Sequence, residues 1–150
     1  MTDVSLAVKL IKEFEGFRSQ PYLCPAGVPT IGYGSTTYKS GKKVTLKDPA
    51  ISEKDADDLL VHFVTKVILP EVTRICPRLS ENNNALNAIL DFCYNLGSTK
   101  FKNSTLAIMI NAEDWPKAKE QIMRWVYSGG EVLPGLVRRR KAEAALLPDE

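Results

Sequence analysis

No stretch of this 150-residue chain is apolar for long enough to cross a bilayer, which takes about 20 consecutive residues. The N-terminal MTDVSLAVKLIKEFEG also lacks the basic run and unbroken apolar core of a secretion signal. Lys9, Lys12 and Glu13 interrupt it at helical spacing, so it reads as a folded helix. Three cysteines, Cys24, Cys76 and Cys93, are an odd number at spacings that suit neither a zinc site nor a disulfide framework; reduced thiols are expected, with Cys76 and Cys93 as small core residues. The one histidine, His62, has no partner at ligand or triad spacing and reads as an ordinary helix-surface residue. A net charge of +2 is too small to argue for a nucleic-acid binder, although it would not repel an anionic polymer. No repeat or low-complexity linker divides the chain, and 44% hydrophobic with 25% charged residues suits a single globular domain.

What is present is mostly helical pattern. Val4, Ala7, Val8, Ile11 and Glu15 fall on one helical stripe and Leu6, Leu10, Phe14 and Phe17 on the next, with Thr2 or Asp3 as N-cap and Gly16 as the stop. From Pro21 to Leu46 the punctuation changes to Pro, Gly, Ser and Lys. Turns at Pro25-Ala26-Gly27 and Ser40-Gly41-Lys42 predict a small antiparallel sheet of about three short strands, too little to stand without helices against it. Ser52-Glu53-Lys54-Asp55 resembles a capping box and opens a long helix with Ala56, Leu59, Leu60, Phe63, Val64, Val67 and Ile68 on its core face; Pro70 is expected to kink or end it.

The remainder is expected to be helical. Ser80 is the expected cap of a helix with Ala85, Leu86, Ile89, Leu90 and Cys93 inward and Gly97 at its end. Asn103 or Ser104 caps the next helix, and Asp114 with Pro116 starts WPKAKEQIMRWV. After a loop at Ser128-Gly129-Gly130, Pro134-Gly135 opens a final helix with Leu136, Val137, Ala144 and Leu147 as buried candidates. The predicted architecture is α+β and mainly helical: an N-terminal lobe of about residues 14–58, a connecting helix of about 52–76, and a helical lobe of about 77–150 with helix 3–15 packed against it. The junction of two such lobes is a natural cleft.

Glu15 ends an apolar stripe at the negative end of a helix. Both features disfavour an ionised carboxylate, as a general acid requires; the competing reading is a helix-end glutamate turned to solvent. An acid at a cleft suits glycoside hydrolysis, in which a second group assists water or stabilises the oxocarbenium-like state. No second carboxylate is at hand, since no Asp or Glu occurs between Glu15 and Lys47. The interval instead offers Thr30, whose hydroxyl could orient a water, and Cys24, which would serve as base or nucleophile if its pKa were lowered and would otherwise be a buried inert thiol.

The run Glu15-Gly16-Phe17-Arg18, then Tyr22-Leu23-Cys24, then Gly27-Val28-Pro29-Thr30-Ile31-Gly32-Tyr33-Gly34-Ser35-Thr36 resembles the signature of the phage lysozymes, glycoside hydrolase family 24. That family's pattern is a glutamate, eight residues, an aspartate or cysteine, five residues and a threonine, and Glu15, Cys24 and Thr30 meet both spacings. The likeness continues through Asp91-Phe92-Cys93-Tyr94-Asn95-Leu96-Gly97, Phe101-Lys102-Asn103-Ser104-Thr105-Leu106, Arg124-Trp125-Val126, and Gly135-Leu136-Val137-Arg138-Arg139-Arg140 with Glu143, so it covers essentially the whole chain.

The resemblance implies a lysozyme-like two-lobed fold and hydrolysis of the β-1,4 bond between N-acetylmuramic acid and N-acetylglucosamine in peptidoglycan, with no cofactor and no metal. It implies Glu15 as general acid, Thr30 as positioner of water or sugar, and Cys24 in place of the aspartate of other members, as base, nucleophile or spectator. Tyr33, Gly34, Tyr94, Asn95, Phe101, Asn103 and Ser104 are the expected glycan-facing residues. Ser35 departs from the histidine that many members carry. The Arg138 to Lys141 cluster is either a solvated face or supplies an arginine to Glu15. The expected setting is a monomer that accumulates in the host cytoplasm, needs a holin for release, then acts on periplasmic peptidoglycan without stable membrane insertion. A non-catalytic peptidoglycan-binding protein on the same fold and a nucleic-acid binder using Arg138 to Lys141 are the rival readings.

Overall fold

The computed structural model describes residues 2–150. It begins with α1, Ser5–Glu15, whose Ala7, Val8 and Ile11 are buried as the stripe predicts. The N-cap position is Val4 rather than Thr2 or Asp3, and the Asp3 side chain accepts from the Ser5 amide at 2.9 Å from one residue earlier. A second donor of that first turn is met from far along the chain: the Ala7 amide donates to the buried Asn87 side chain at 2.9 Å. Asn87 in turn donates to Asp3 C=O at 2.9 Å, so one amide side chain fastens α1 onto the helical lobe.

The sheet is smaller than expected. It has two antiparallel strands, β1 (Arg18–Leu23) and β2 (Pro29–Gly32), joined by the turn at residues 24–28. The third strand is reduced to isolated bridges, Ile31 with Ser35 and Thr37 with Lys43. Pairing in the main sheet jumps from Arg18 opposite Gly32 to Tyr22 opposite Thr30, and Pro21, which has no amide proton for a ladder, falls within that irregular stretch.

Ser52 caps α2 (Glu53–Phe63) by accepting from the Asp55 amide at 3.0 Å. Pro70 does not end the connecting helix, one of the two outcomes expected of it. A π-helical segment, Val64–Ile68, carries the chain straight into α3 (Leu69–Ile75), with the Leu69 amide bonding Val64 C=O five residues back. The wider turn absorbs the proline. It also changes the helical phase, so Val64, Ile68 and Val72 face the core and Val67, expected inside, is 40% exposed.

Next comes α4 (Asn83–Leu96), capped by Asn82 rather than Ser80, because Pro77–Glu81 form a 3-10 turn first. It is enclosed on nearly all sides and is the axis of the helical lobe. Phe92 meets Phe101 and Trp125 edge-on at 6.0 and 5.6 Å. Around it lie α5 (Ser98–Lys102), α6 (Thr105–Asn111), α7 (Trp115–Ile122) and α8 (Pro134–Ala144). Ser104 and Asp114 supply the expected caps of α6 and α7. The loop around Gly129-Gly130 is a short hairpin, β3 (Tyr127–Ser128) with β4 (Glu131–Val132). Among the described residues, no helix is long and apolar enough to cross a membrane.

The largest departure is in α8. Leu147, just past it, is buried as expected, but Leu136, Val137 and Ala144 are only half-buried; the enclosed residues of the helix are Arg139, Arg140 and Glu143. Two members of the basic cluster are therefore interior groups rather than a solvated face.

Candidate active site

Glu15 stands at the last position of α1, where Gly16 turns the chain into β1. The apolar surroundings expected for it are replaced by a guanidinium. Arg139 Nη1 donates to Glu15 Oε2 at 2.7 Å, while Arg139 Nε and Nη2 fork onto Asp91 of α4 at 3.0 and 2.7 Å. Asp91 is fully enclosed and the Arg139 side chain is 5% exposed, whereas Glu15 keeps 26%. One end of this chain of charges thus reaches solvent. The fork matches a planar guanidinium to a planar carboxylate and fixes Arg139 before it meets Glu15. Burial works against the Arg139 charge, but the bonds to Asp91 and then Glu15 outweigh it and push its pKa up.

Gly34 closes the other side of Glu15. A Cβ there would stand 3.2 Å from Glu15 Oε1 and 3.3 Å from the Tyr94 hydroxyl, at a φ of 93° that disfavours any side chain. Tyr94 Oη donates to Tyr33 C=O at 2.7 Å, tying α4 to the turn after β2. Burial is the main cause of the raised Tyr94 pKa, so this phenol stays a proton donor. Two recesses flank the pair. One of about 210 Å³ is lined by Gly34, Ser35, Thr36, Thr37, Phe63 and Tyr94. Another of about 600 Å³ runs past Phe14, Leu133, Leu136, Arg138 and Arg139.

Cys24 opens the β1–β2 turn. Its amide donates to Val28 C=O at 3.1 Å and its carbonyl accepts from the Gly27 amide at 2.8 Å. The thiol is only half-buried, which excludes the reading of a buried inert group. Bonding from the Val28 backbone leads the causes that lower its pKa, with the Ala26 backbone and the Thr30 hydroxyl adding to it against a desolvation cost. Cys76 and Cys93 contrast sharply. Both are core residues, and burial pushes the Cys76 thiol up to about 11 and raises that of Cys93 further. Thr30 is 3% exposed and donates to Val28 C=O at 2.8 Å, holding the turn that carries Cys24.

Tyr22 stands opposite Thr30; burial raises its pKa most, the Arg18 charge opposes this, and the charges of Glu15 and Cys24 add to it. Arg18 stacks over its ring at 4.3 Å. Of the residues expected to face a glycan, Gly34, Tyr94, Asn95 and Asn103 retain exposed surface. Tyr33, Phe101 and Ser104 do not. Tyr33 is 6% exposed beneath Phe17, Phe101 is wholly enclosed, and Ser104 caps α6. These three shape the backbone under the surface. Asn95 also accepts from Arg140 Nη2 at 2.7 Å.

Asp91 and Tyr22 were the residues missed. The signal for Asp91 was a lone acid inside the apolar run Ala88-Ile89-Leu90-Asp91-Phe92-Cys93, which calls for a buried partner. Among the described residues, no group of three or more His, Cys, Asp or Glu is placed to hold a metal ion.

Comparison with known proteins decides the family, because the phage lysozyme model matches residues 12–143. The chain belongs to the phage lysozyme family. This lysozyme is a glycoside hydrolase with the α+β lysozyme fold. It is 35% identical over 141 residues to an endolysin of Acyrthosiphon pisum secondary endosymbiont phage 1, covering 91% of each chain. It is 35% identical over 134 residues to a SAR-endolysin of Bacteriophage PS119, covering 86% of this chain and 73% of that one. Among solved structures, the muramidase domain of SpmX from Asticaccaulis excentricus superposes with a TM-score of 0.79 at 30% identity, over 97% of both chains.

Proposed function

We propose that this lysozyme is an endolysin muramidase that cleaves the β-1,4 bond between N-acetylmuramic acid and N-acetylglucosamine of bacterial peptidoglycan, with Glu15 as general acid. The observation that carries the assignment of Glu15 is the unequal setting of its two carboxylate oxygens. One carboxylate oxygen is held by Arg139 and the other faces Gly34, where only a glycine leaves room beside it. The free oxygen is the one that would protonate the leaving glycosidic oxygen. Gly34, Tyr94, Asn95 and Asn103 form the proposed glycan-contacting surface around it.

Cys24 and Thr30 are the proposed second catalytic group. A thiol with a lowered pKa, held by turn amides and a hydroxyl, would supply as thiolate the negative charge that an aspartate supplies in other members, and Thr30 would orient the water or the sugar. Cys24→Ser is expected to lower kcat about 100-fold, within the range for loss of a general base, while Cys24→Asp retains much of the activity. Full activity in Cys24→Ser would show that the thiol has no chemical role.

The rival reading, a non-catalytic wall-binding protein, leaves the anchored acid and the lowered thiol without purpose. Incubation with purified sacculi separates the two: steady release of reducing ends is expected, and binding without release overturns the proposal. For the route to the wall, we read the protein as a monomer held in the host cytoplasm until a holin permeabilises the inner membrane. Cells expressing this chain alone are expected to stay intact until that membrane is breached, and lysis without a breach contradicts the route.

A further inference from the structure

Arg139 and Arg140 are consecutive on α8, yet they serve different partners. Arg139 reaches Glu15, whereas Arg140, wholly enclosed against the Phe92 ring at 4.9 Å, reaches the last turn of α4. There its Nη2 donates to Asn95 Oδ1 at 2.7 Å. Glu143 neutralises the guanidinium from the same helix, with Oε1 2.8 Å from Nε and Oε2 3.1 Å from Nη2. The proposed reaction makes no use of this second arginine.

A guanidinium carries donors only, so the Asn95 atom that meets it has to be the carbonyl oxygen. That fixes the other end of the amide. Nδ2 has no partner among the described residues and is not one of the enclosed atoms, so its two N–H groups stay open on a half-buried residue. Asn95 also follows Tyr94, whose hydroxyl stands beside Gly34 and Glu15. A freely turning asparagine offers a substrate either its oxygen or its nitrogen; one held by Arg140 offers the nitrogen alone.

We propose that Arg140 is a positioning residue for substrate recognition: it holds the Asn95 oxygen inward, so that Asn95 presents only N–H donors and selects an amide carbonyl of the peptidoglycan strand. This deepens the muramidase reading and rests on it. An amide carbonyl is the strongest neutral acceptor that such a strand carries. It occurs in two places, the acetamido group of each sugar and the amide that opens each peptide stem.

The test measures kcat and KM, and dissociation constants in a Glu15→Gln background, on three forms of soluble glycan: bearing peptide stems, stripped of them by an amidase, and both stripped and de-N-acetylated. Asn95→Asp keeps an oxygen for Arg140 and puts a second oxygen where the donors were. It is expected to raise KM and the dissociation constant about tenfold, roughly the worth of one hydrogen bond, while kcat falls less than twofold. A loss that persists on stripped glycan and disappears or reverses on the de-N-acetylated form assigns the acetamido carbonyl. A loss confined to the stem-bearing form assigns the stem. No change on any form, or an equal loss on all three, overturns the proposal.

Arg140→Met with Glu143→Leu removes the guanidinium and its counter-charge together, which leaves no unpaired buried charge. In that background Asn95→Asp is expected to cost less than threefold, because the amide is no longer oriented; the full tenfold there shows that Arg140 positions nothing. Should the double variant not fold, Arg140→Lys takes its place, since an ammonium pairs with Glu143 but lacks the fork that also reaches Asn95. A wild type that binds these glycans and cuts none of them overturns the muramidase reading, and the dissociation constants then decide the proposal by themselves.

Discussion

Glu15→Gln is expected to reduce peptidoglycan hydrolysis by about 1,000-fold, within the 100- to 10,000-fold range of general acid catalysis, and to leave the fold intact. The amide is nearly isosteric with the carboxyl. Its oxygen still accepts from Arg139 Nη1, and its NH₂ takes the place of the oxygen beside Gly34. What it lacks is an acidic proton for the leaving glycosidic oxygen. Asp91 continues to hold Arg139, so the electrostatic frame survives the change. The measurement is loss of turbidity of outer-membrane-permeabilised Gram-negative cells, with thermal unfolding as the control for folding. Near-normal lysis by a folded variant would remove Glu15 from the chemistry.

Arg139→Met is expected to act first on stability. It removes every donor the structure gives Asp91 from a cation, and Asp91 is fully enclosed, so a charge remains buried without its partner. Breaking a buried pair in this way costs about 3–5 kcal/mol, a large part of the roughly 5–15 kcal/mol that holds a typical domain folded. For a chain of this size that is a fall in melting temperature of roughly 10 °C. Arg139→Lys is expected to recover little, because an ammonium cannot serve the fork on Asp91 and the bond to Glu15 at once. Replacing both partners, as in Arg139→Met with Asp91→Leu, is expected to return much of the stability while leaving activity low, since Glu15 would still lack its anchor. A loss below about 1 kcal/mol in Arg139→Met would mean that Asp91 finds other compensation.

Those two residues also mark where the sequence was legible. The stripe of α1, the Ser52, Ser104 and Asp114 caps and the helical content follow from spacing within a few residues, and all appear in the structure. Glu15, Cys24 and Thr30 were singled out by the family resemblance rather than by periodicity, and one helix end and one hairpin carry all three. The Arg139 network was legible only in part: an arginine for Glu15 was one of two readings of the basic cluster, whereas the fork on Asp91 was not foreseen. Its contacts join residues 48 and 124 positions apart, and a periodicity reading treats each charge on α8 as solvated unless a partner is in view. The same blindness hid the π segment before Pro70, where continuation depends on packing against the helical lobe rather than on the proline alone. A third strand was expected from turn residues that in fact close isolated bridges, since Gly and Ser mark a reversal without specifying a ladder on either side.

Whether the protein cuts the glycan on the muramic acid side is decided by the sugar left at each new end. Mass spectrometry of the products of sacculus digestion, after borohydride reduction, identifies that sugar. Muropeptides ending in reduced N-acetylmuramic acid are the predicted result, present with the wild type and missing with Glu15→Gln. Fragments ending in reduced N-acetylglucosamine, or in an anhydro sugar that resists reduction, would contradict it.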